Sequence, residues 1–194
     1  MASKIIFLNG CSSAGKTSLV KALQHLSEDF WLTFGIDDII DAMPRKYIGV
    51  GEKANQGFHF VSSVDKEAFP ITEIKVGPIG EKLRNFSPKI VRQLVDNEFN
   101  IIIDEVIWEK RGLENYASVL KNHQVYYIKV NCELPLLEER EILRGDRALG
   151  LSRALFTKIK GLCWDYDLEI DTSLNNPFAN AKKILKFIKK ENGV

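Results

Sequence analysis

Cysteine and histidine are scarce in this chain of 194 residues, which contains three of each. Cys11, Cys132 and Cys163 are odd in number and form no Cys-x-x-Cys pair, and no cluster of histidines accompanies them. A disulfide framework needs paired cysteines, and a zinc site needs closely spaced cysteine or histidine ligands. The sequence therefore indicates neither kind of site, and we expect the protein to work in a reducing cytoplasm.

Long apolar runs and an excess of either charge are also missing. The 27 basic and 26 acidic residues give a formal net charge of +1 and are spread over the whole length. A nucleic-acid-binding tail or a polybasic membrane anchor would need a local excess of positive charge, and a membrane span would need about 18 consecutive apolar residues. We therefore expect no nucleic-acid partner and no membrane partner. Because the first predicted strand follows Met1 almost at once, we also expect no signal peptide.

The stretch from Gly10 to Thr17, GCSSAGKT, carries the clearest chemical signal. It has the pattern of a glycine, four residues and then Gly-Lys-Ser/Thr, and it lies between an apolar run at residues 5–8 and a helical repeat of apolar residues. Glycines in such a loop let successive backbone N–H groups point at an oligophosphate, and the start of the next helix adds further donors and a positive dipole end. We call this stretch the phosphate loop.

The phosphate loop predicts bound ATP and Mg²⁺. Lys16 is expected to reach the β- and γ-phosphates, and the Thr17 hydroxyl is placed to ligate Mg²⁺, which prefers oxygen ligands and binds through few protein groups. The residues predicted to bind the nucleotide are Gly10, Cys11, Ser12, Ser13, Ala14, Gly15, Lys16 and Thr17. The loop alone leaves open whether the phosphate goes to water, to a small molecule or to another nucleotide.

Asp37 and Asp38 follow the second predicted strand, at residues 30–36. Open parallel α/β sheets bind ligands at the carboxyl ends of their strands, so Asp37 is expected on the same rim as the phosphate loop. A short polar side chain at a strand-to-helix turn also serves as a helix cap. Position therefore leaves two roles open for Asp37, in the reaction or as a cap, and favours the cap for Asp38.

Asp104 and Glu105 end a nearly continuous apolar stretch at residues 99–103. A hydrophobic strand followed by an acid suits the second Mg²⁺ element of phosphate-loop enzymes, although acids also occur at ordinary strand ends. Given the phosphate loop, we predict that Asp104 binds Mg²⁺ directly or through water. Glu105 is left as a supporting or acceptor-binding group, and Trp108 as either a wall of the acceptor pocket or a core aromatic.

Residues 45–76 interrupt the alternation of strands and helices, and we call them the flap. They are rich in glycine and contain two β-like runs, at residues 57–61 and 71–76. Long insertions in compact domains are often lids or binding loops, so the flap is the expected place of acceptor recognition. Phe58, Phe60 and Phe69 are candidate apolar contacts for an acceptor, or they merely pack the flap onto the domain. His59 is interpreted as a packing or surface residue.

Three arginines, Arg140, Arg144 and Arg147, lie close together around a glycine. A run of charges is often only a solvated face. Arginine, however, grips phosphate oxygens through paired hydrogen bonds, and a helix that ends at a glycine turn can swing such groups over a bound nucleotide. Beside a phosphate loop the second interpretation is favoured, and we predict an arginine lid over residues 140–152. We expect the lid and the flap to close from two sides and exclude water.

The alternation of apolar stretches with helical patterns predicts an α/β fold with helices on both faces of a parallel sheet. The five predicted strands lie at residues 5–8, 30–36, 99–103, 125–130 and 166–171. Pro88 is expected to kink or divide the helix that follows Gly77. We predict one three-layer domain over residues 1–194, with a five-stranded parallel sheet, an arginine lid and an inserted flap.

The chain resembles the chloramphenicol phosphotransferase-like proteins of the phosphate-loop kinase superfamily. The likeness lies in residues 6–17 (IFLNGCSSAGKT), 31–37 (WLTFGID) with 42–44 (AMP), 101–106 (IIIDEV), 140–147 and 166–172 (YDLEIDT). The resemblance implies the fold of nucleoside and shikimate kinases and transfer of the γ-phosphate of ATP to a primary hydroxyl of chloramphenicol, with Asp37 as the general base. The segment 45–75 departs from the antibiotic kinase, which leaves the acceptor open.

The sequence therefore predicts an ATP- and Mg²⁺-dependent kinase that acts on a hydroxyl of a small molecule. Asp37 is predicted to accept the hydroxyl proton. Lys16 and the arginines at 140, 144 and 147 are predicted to stabilise charge on the transferred phosphoryl group. Two alternatives stay open: a nucleotide-dependent switch that a protein partner recognises, and a mononucleotide kinase.

Overall fold

The computed structural model describes residues 3–145, 148–191 and 193, and within them it contains eight strands and seven α-helices. The strands are β1 (Lys4–Gly10), β2 (Trp31–Gly35), β3 (Ile48–Gly49), β4 (Phe58–Val64), β5 (Pro70–Val76), β6 (Asn100–Glu105), β7 (Gln124–Asn131) and β8 (Leu168–Asp171). The helices are α1 (Lys16–Leu26), α2 (Ile36–Asp41), α3 (Pro78–Asp96), α4 (Lys110–Val119), α5 (Leu134–Arg144), α6 (Leu151–Lys160) and α7 (Pro177–Glu191). None of the helices in these ranges is long and apolar enough to cross a membrane.

Five strands form a parallel sheet in the order β2-β6-β1-β7-β8. Strand β1 lies at the centre, where Phe7 pairs with Ile103 on one side and with Tyr127 on the other. Both faces of this sheet are covered, which explains why its central strands are almost continuously apolar. The predicted five-stranded parallel sheet and the three-layer α/β fold are confirmed.

The two faces of the sheet are covered by different helices. Helices α1 and α7 pack on one face, where Leu19 and Ile184 belong to the same buried cluster as Ile6. Helices α3 and α4 pack on the opposite face, where Val91 and Leu113 are buried with Phe7 and other side chains of the sheet. Side chains alternate along a strand, so neighbouring residues of β1 contribute to opposite cores.

Helix α3 continues past Pro88, which is buried inside it. An internal proline removes one helical hydrogen bond and crowds the preceding turn. Packing on both sides of the proline holds the helix together, because Gly80 lies against the backbone of Gly57 and Val95 lies in the core. Pro88 therefore does not divide this helix, and a kink at Pro88 stays a prediction.

The β-like runs of the flap form an antiparallel hairpin, as predicted. Strands β4 and β5 pair from Phe58 opposite Val76 to Val64 opposite Pro70, and the short strand β3 adds to β4 in parallel. This three-stranded sheet is separate from the central one.

The hairpin packs on helix α6. Arg153 of α6 donates from Nη1 to Asp65 Oδ2 at the hairpin turn (3.1 Å) and from Nε to Glu138 Oε1 of α5 (2.6 Å). Its guanidinium also lies 4.2 Å from the centre of the Phe69 ring. The flap and helix α6 are therefore in direct contact, while closure of the flap and the lid over the cavity stays a prediction. The contact joins residues 88 positions apart, which no local pattern reveals.

Gly35 lets strand β2 approach strand β6 at the rim that carries Asp104. A methyl group at Gly35 would overlap the backbone oxygen of Asp104. We expect Gly35→Ala to lower the free energy of unfolding by about 1–3 kcal/mol, because the two backbones must separate to admit the methyl group. Urea denaturation followed by circular dichroism measures the loss. Thr33→Ala, at an exposed position of the same strand, is the matched control, and an equal loss in both variants would contradict the prediction.

Candidate active site

The phosphate loop connects the end of β1 at Gly10 to the start of α1 at Lys16. Ser13 and Gly15 have positive φ angles, of 61° and 82°, and this conformation turns backbone N–H groups toward one concave side of the loop. For Ser13 the conformation is strained, a kind of strain that collects at functional sites. The Ser13 hydroxyl is buried and has no hydrogen-bond partner among the described residues. A phosphate oxygen would satisfy it.

Lys16 lies over the phosphate loop with only 6 % of its side chain exposed. Its ammonium donates hydrogen bonds to the carbonyls of Gly10 (3.1 Å) and Cys11 (3.0 Å), and Nζ lies 3.8 Å from Asp104 Oδ1. The positive charge is therefore held between the loop backbone and the rim carboxylate. This is a position from which it can meet the phosphates of a nucleotide.

Thr17 and Asp104 are in direct contact. The Thr17 hydroxyl donates to Asp104 Oδ2 at 2.9 Å, although the two residues are 87 positions apart. The parallel register of β1 and β6, which pairs Leu8 with Asp104, places this carboxylate beside the phosphate loop. A hydroxyl and a carboxylate so close together offer the oxygen ligands that Mg²⁺ uses when it also binds phosphates.

Asp37 lies in the first turn of α2 and lines the same cavity as the phosphate loop and Asp104. This cavity has a volume of about 840 Å³. Asp38, by contrast, caps the helix, because its Oδ2 accepts the N–H of Gly35 at 2.8 Å. The capping role favoured for Asp38 is therefore confirmed, and Asp37 faces the cavity.

Two of the three lid arginines line this cavity. Arg140 donates from Nη2 to the backbone oxygen of Thr172 (2.9 Å) and from Nη1 to the Thr172 hydroxyl (3.1 Å), which itself donates to the Ala14 carbonyl of the phosphate loop. Arg144 ends helix α5. Arg147 lies outside the described residues. The structure thus fixes Arg140 beside the phosphate loop.

The cavity is also lined by residues of α3 and α4 that the sequence analysis missed, and by Trp108, which it offered as a wall of the acceptor pocket. Arg84 of α3 donates to Glu81 Oε1 at 3.0 Å, and its guanidinium lies 4.6 Å from the centre of the Trp108 ring. All three side chains line the cavity. The spacing of Glu81 and Arg84, one helical turn apart, is the only local signal that could have drawn attention to them.

Glu105 is a buried carboxyl at the edge of this cavity, with 4 % of the residue exposed. It accepts a hydrogen bond from the Tyr116 hydroxyl at 2.7 Å, and that hydroxyl is also 2.7 Å from Ser87 Oγ. Burial raises the pKa of Glu105 to about 7, and the Tyr116 hydrogen bond opposes part of this rise. Burial also raises the pKa of Tyr116 well above its ordinary value.

The hairpin contributes an apolar part of the cavity. Phe58, Phe60 and Ile74 line it, whereas Phe69 stacks on Arg153 outside it. The prediction of an acceptor contact is therefore wrong for Phe69 and stays a prediction for Phe58 and Phe60. The cavity thus has an apolar side on the hairpin and a polar side on α3 and α4.

A family model described as chloramphenicol phosphotransferase-like protein matches residues 3–189 of this chain. Among curated proteins, one of Mycobacterium tuberculosis that is provisionally named an O-phosphotransferase is 31% identical over 170 residues. The match covers 88% of this chain and 75% of that protein. It is found with the same values in two strains of that organism.

Several solved structures, two of them of kinases, have the same fold. The adenylylsulfate (APS) kinase of Mycobacterium tuberculosis, in complex with AMPPNP and APS, superposes with a TM-score of 0.63 at 12% identity, covering 97% of this chain and 98% of that one. Shikimate kinase from Acinetobacter baumannii gives 0.60 at 16% identity, covering 97% and 94%. The tunicamycin resistance protein of Deinococcus radiodurans gives 0.61 at 18%, covering 96% and 95%. At these identities the likeness concerns the fold.

Cys11, inside the phosphate loop, is expected to resist alkylation. Burial raises the pKa of its thiol to about 12, and Sγ donates to the Ser152 carbonyl at 3.3 Å. The thiolate is the reactive species, so iodoacetamide at pH 8 should modify the exposed Cys163 at least ten times faster than Cys11. Peptide mass spectrometry of the native protein measures both rates. Equal rates in folded protein would show that the loop is more open than the structure has it, and unfolding in urea should make them equal.

Proposed function

This chain belongs to the chloramphenicol phosphotransferase-like family, and we propose that it is an ATP-dependent kinase that phosphorylates a hydroxyl of a small molecule. The observation that carries the proposal is that Asp37 lines one cavity with the phosphate loop. A carboxylate and a phosphate-binding loop on the same rim are the two halves of a phosphoryl transfer site. The O-phosphotransferase name of the Mycobacterium tuberculosis relative supports the same reaction class.

The donor side of the proposed site is the phosphate loop. Its backbone N–H groups and Lys16 bind the phosphates of ATP, and the unpaired Ser13 hydroxyl gains a phosphate partner. Thr17 and Asp104 hold Mg²⁺, which lowers the negative charge on the phosphates when bound. A site of this kind, with one hydroxyl and one carboxylate, would suit Mg²⁺ that enters with the nucleotide, because Mg²⁺ is usually bound by few protein groups together with substrate phosphates.

The transfer step needs a base on the acceptor and positive charge around the phosphoryl group. Asp37 accepts the proton of the acceptor hydroxyl while the hydroxyl oxygen bonds to the γ-phosphorus, and the bond between that phosphorus and the β,γ-bridging oxygen breaks to release ADP. Lys16, Arg140, Arg144 and Arg147 stabilise the charge on the transferred group. The contact of Arg140 with Thr172 and, through it, with the phosphate loop supports this role for Arg140.

The acceptor occupies the part of the cavity between the hairpin and helices α3 and α4. Phe58 and Phe60 offer an apolar surface, and Arg84 offers hydrogen-bond donors on the other side. Such a cavity suits a small amphipathic alcohol. Chloramphenicol, which gives the family its name, is the first candidate, with transfer to its primary 3-hydroxyl.

Asp37→Asn tests the proposed base. We expect its acceptor-dependent turnover to fall by two to four orders of magnitude, the scale of losing a general base, because the amide cannot accept the proton. ATP affinity should stay within about threefold, because the phosphate contacts are on the phosphate loop. Coupled ADP-release assays and calorimetric titration measure the two quantities. Asp38→Asn is the matched control, since asparagine also caps helices. Full turnover in Asp37→Asn would refute the assignment.

A panel of acceptors tests the reaction class. ADP release is measured with chloramphenicol, other small alcohols, nucleosides and nucleoside monophosphates, each at the same ATP and Mg²⁺ concentrations. We expect a small alcohol to raise turnover at least tenfold over the rate without acceptor. Stimulation by nucleoside monophosphates alone would instead indicate a mononucleotide kinase. Slow hydrolysis that no acceptor changes would indicate a nucleotide-dependent switch and contradict the proposal.

A further inference from the structure

The turn that leads into helix α6, residues 149–152, is bonded to the hairpin on one of its sides. Thr72 of β5, which is 1% exposed, donates from Oγ1 to the Leu149 carbonyl at 2.7 Å and from its backbone N–H to the Gly150 carbonyl at 3.1 Å. The Ser62 hydroxyl of β4 lies 3.1 Å from the same Thr72 oxygen. Both strands of the hairpin therefore meet this turn through one threonine.

Gly150 makes this close approach possible. Its φ angle is +84°, and a methyl group there would overlap the backbone oxygen of Pro70 at the start of β5. A glycine tolerates both the left-handed conformation and the contact between two backbones. The hairpin and the α6 turn are thus packed directly against each other, with no side chain between them at this point.

The same turn is bonded to the phosphate loop on its other side. Ser152 Oγ lies 3.2 Å from the Ser12 carbonyl, and Cys11 Sγ donates to the Ser152 carbonyl at 3.3 Å. Ser12 precedes Ser13, the residue with the strained backbone. Helix α6 therefore contacts the two residues of the phosphate loop that precede the strained Ser13.

A buried carboxylate joins these two sets of contacts. Glu141 of α5 is 2% exposed and accepts the N–H of Gly150 at 2.6 Å and the N–H of Ser152 at 2.8 Å. Its Oε1 is also 2.8 Å from Ser152 Oγ. Hydrogen bonds to a charged acceptor are stronger than neutral ones, and a buried carboxylate without them would be costly. The carboxylate therefore fixes the position of the turn that touches both the hairpin and the phosphate loop.

We propose that Thr72 and Glu141 are positioning residues through which the hairpin holds the phosphate loop in its nucleotide-binding conformation. The proposal rests on the proposed binding of ATP. It adds that the hairpin, which lines the acceptor part of the cavity, influences the affinity of the phosphate loop for the nucleotide. Linkage makes this effect reciprocal: if an ordered hairpin favours nucleotide binding, bound nucleotide must favour an ordered hairpin by the same factor. Neither Thr72 nor Glu141 touches the nucleotide in this arrangement.

The experiment compares Thr72→Val with wild type, using AMPPNP and Mg²⁺ as the probe. In wild type, amide hydrogen exchange of residues 70–76 should slow when AMPPNP binds. Thr72→Val keeps the shape of the side chain and removes its donor, so this slowing should shrink. Its Kd for AMPPNP should rise about 3- to 10-fold, the scale of one hydrogen bond.

Three further variants make the result specific. Ser63→Ala changes an exposed position of the same hairpin and should behave as wild type. Thr72→Ser restores the hydroxyl and should restore most of the AMPPNP affinity, which a merely space-filling role for Thr72 would not give. Glu141→Gln keeps the size of the side chain and weakens its three contacts, so it should raise the Kd as Thr72→Val does. It also serves as the test if Thr72→Val does not fold.

Three outcomes would overturn the proposal. If AMPPNP slows exchange in the phosphate loop but leaves residues 70–76 unchanged, the coupling is absent while the proposed nucleotide binding stands. The same conclusion follows if both Thr72→Val and Glu141→Gln fold and bind AMPPNP as tightly as wild type. If wild type binds no AMPPNP, calorimetry shows no heat and the phosphate loop gains no protection. That result refutes nucleotide binding and, with it, the coupling.

Discussion

The parallel register of strands β1, β2 and β6 is the constraint on which the site depends. It pairs Leu8 with Asp104 on one side and Gly35 with Asp104 on the other, so that three strands end at one rim. The phosphate loop follows β1, Asp37 follows β2, and Asp104 is the next-to-last residue of β6. A slip of one residue would turn the Asp104 side chain to the opposite face of the sheet and break its contact with Thr17. The buried apolar faces of these strands make such a slip costly in free energy. The packing of the core therefore determines where the functional side chains lie.

The sequence predicts those parts of the site in which the functional residues are neighbours, along the chain, of the strands and helices that position them. The phosphate loop is recognised together with the strand before it and the helix start after it, and all three lie within about 20 residues. The acids at 37 and 104 each come directly after an apolar strand, so their place on the rim follows from the strands alone. The capping role of Asp38 was also accessible, because a cap is a local hydrogen bond. Position alone left open which of the two neighbouring aspartates lines the cavity, since that depends on the direction of their side chains.

The parts that could not be predicted come from contacts between distant residues. Thr72 bonds to Leu149 across 77 positions, and Ser152 lies beside Ser12 across 140. Threonine and serine are common, and nothing in their neighbours distinguishes these two from exposed ones. The docking of the hairpin on α6 was missed for this reason. The α3 and α4 wall of the cavity was missed because an amphipathic helix pattern shows which face is buried and not what the remaining face meets.

Two buried glutamates, one outside the cavity and one at its edge, differ in how fully the surrounding protein satisfies their hydrogen-bonding capacity. Glu141 accepts hydrogen bonds from two backbone N–H groups and lies beside a hydroxyl, all within one turn of chain, so its charge is well compensated and its position is rigid. Glu105 has the Tyr116 hydroxyl as its side-chain donor, stands next to Asp104 and has a pKa raised to about 7 by burial. A carboxyl with spare acceptor capacity is costly inside a core and useful at the edge of a cavity, where a ligand or water can supply the missing donors. Glu141 therefore has its acceptors satisfied by the protein itself, whereas Glu105 at the edge of the cavity keeps acceptor capacity that a bound molecule can complete.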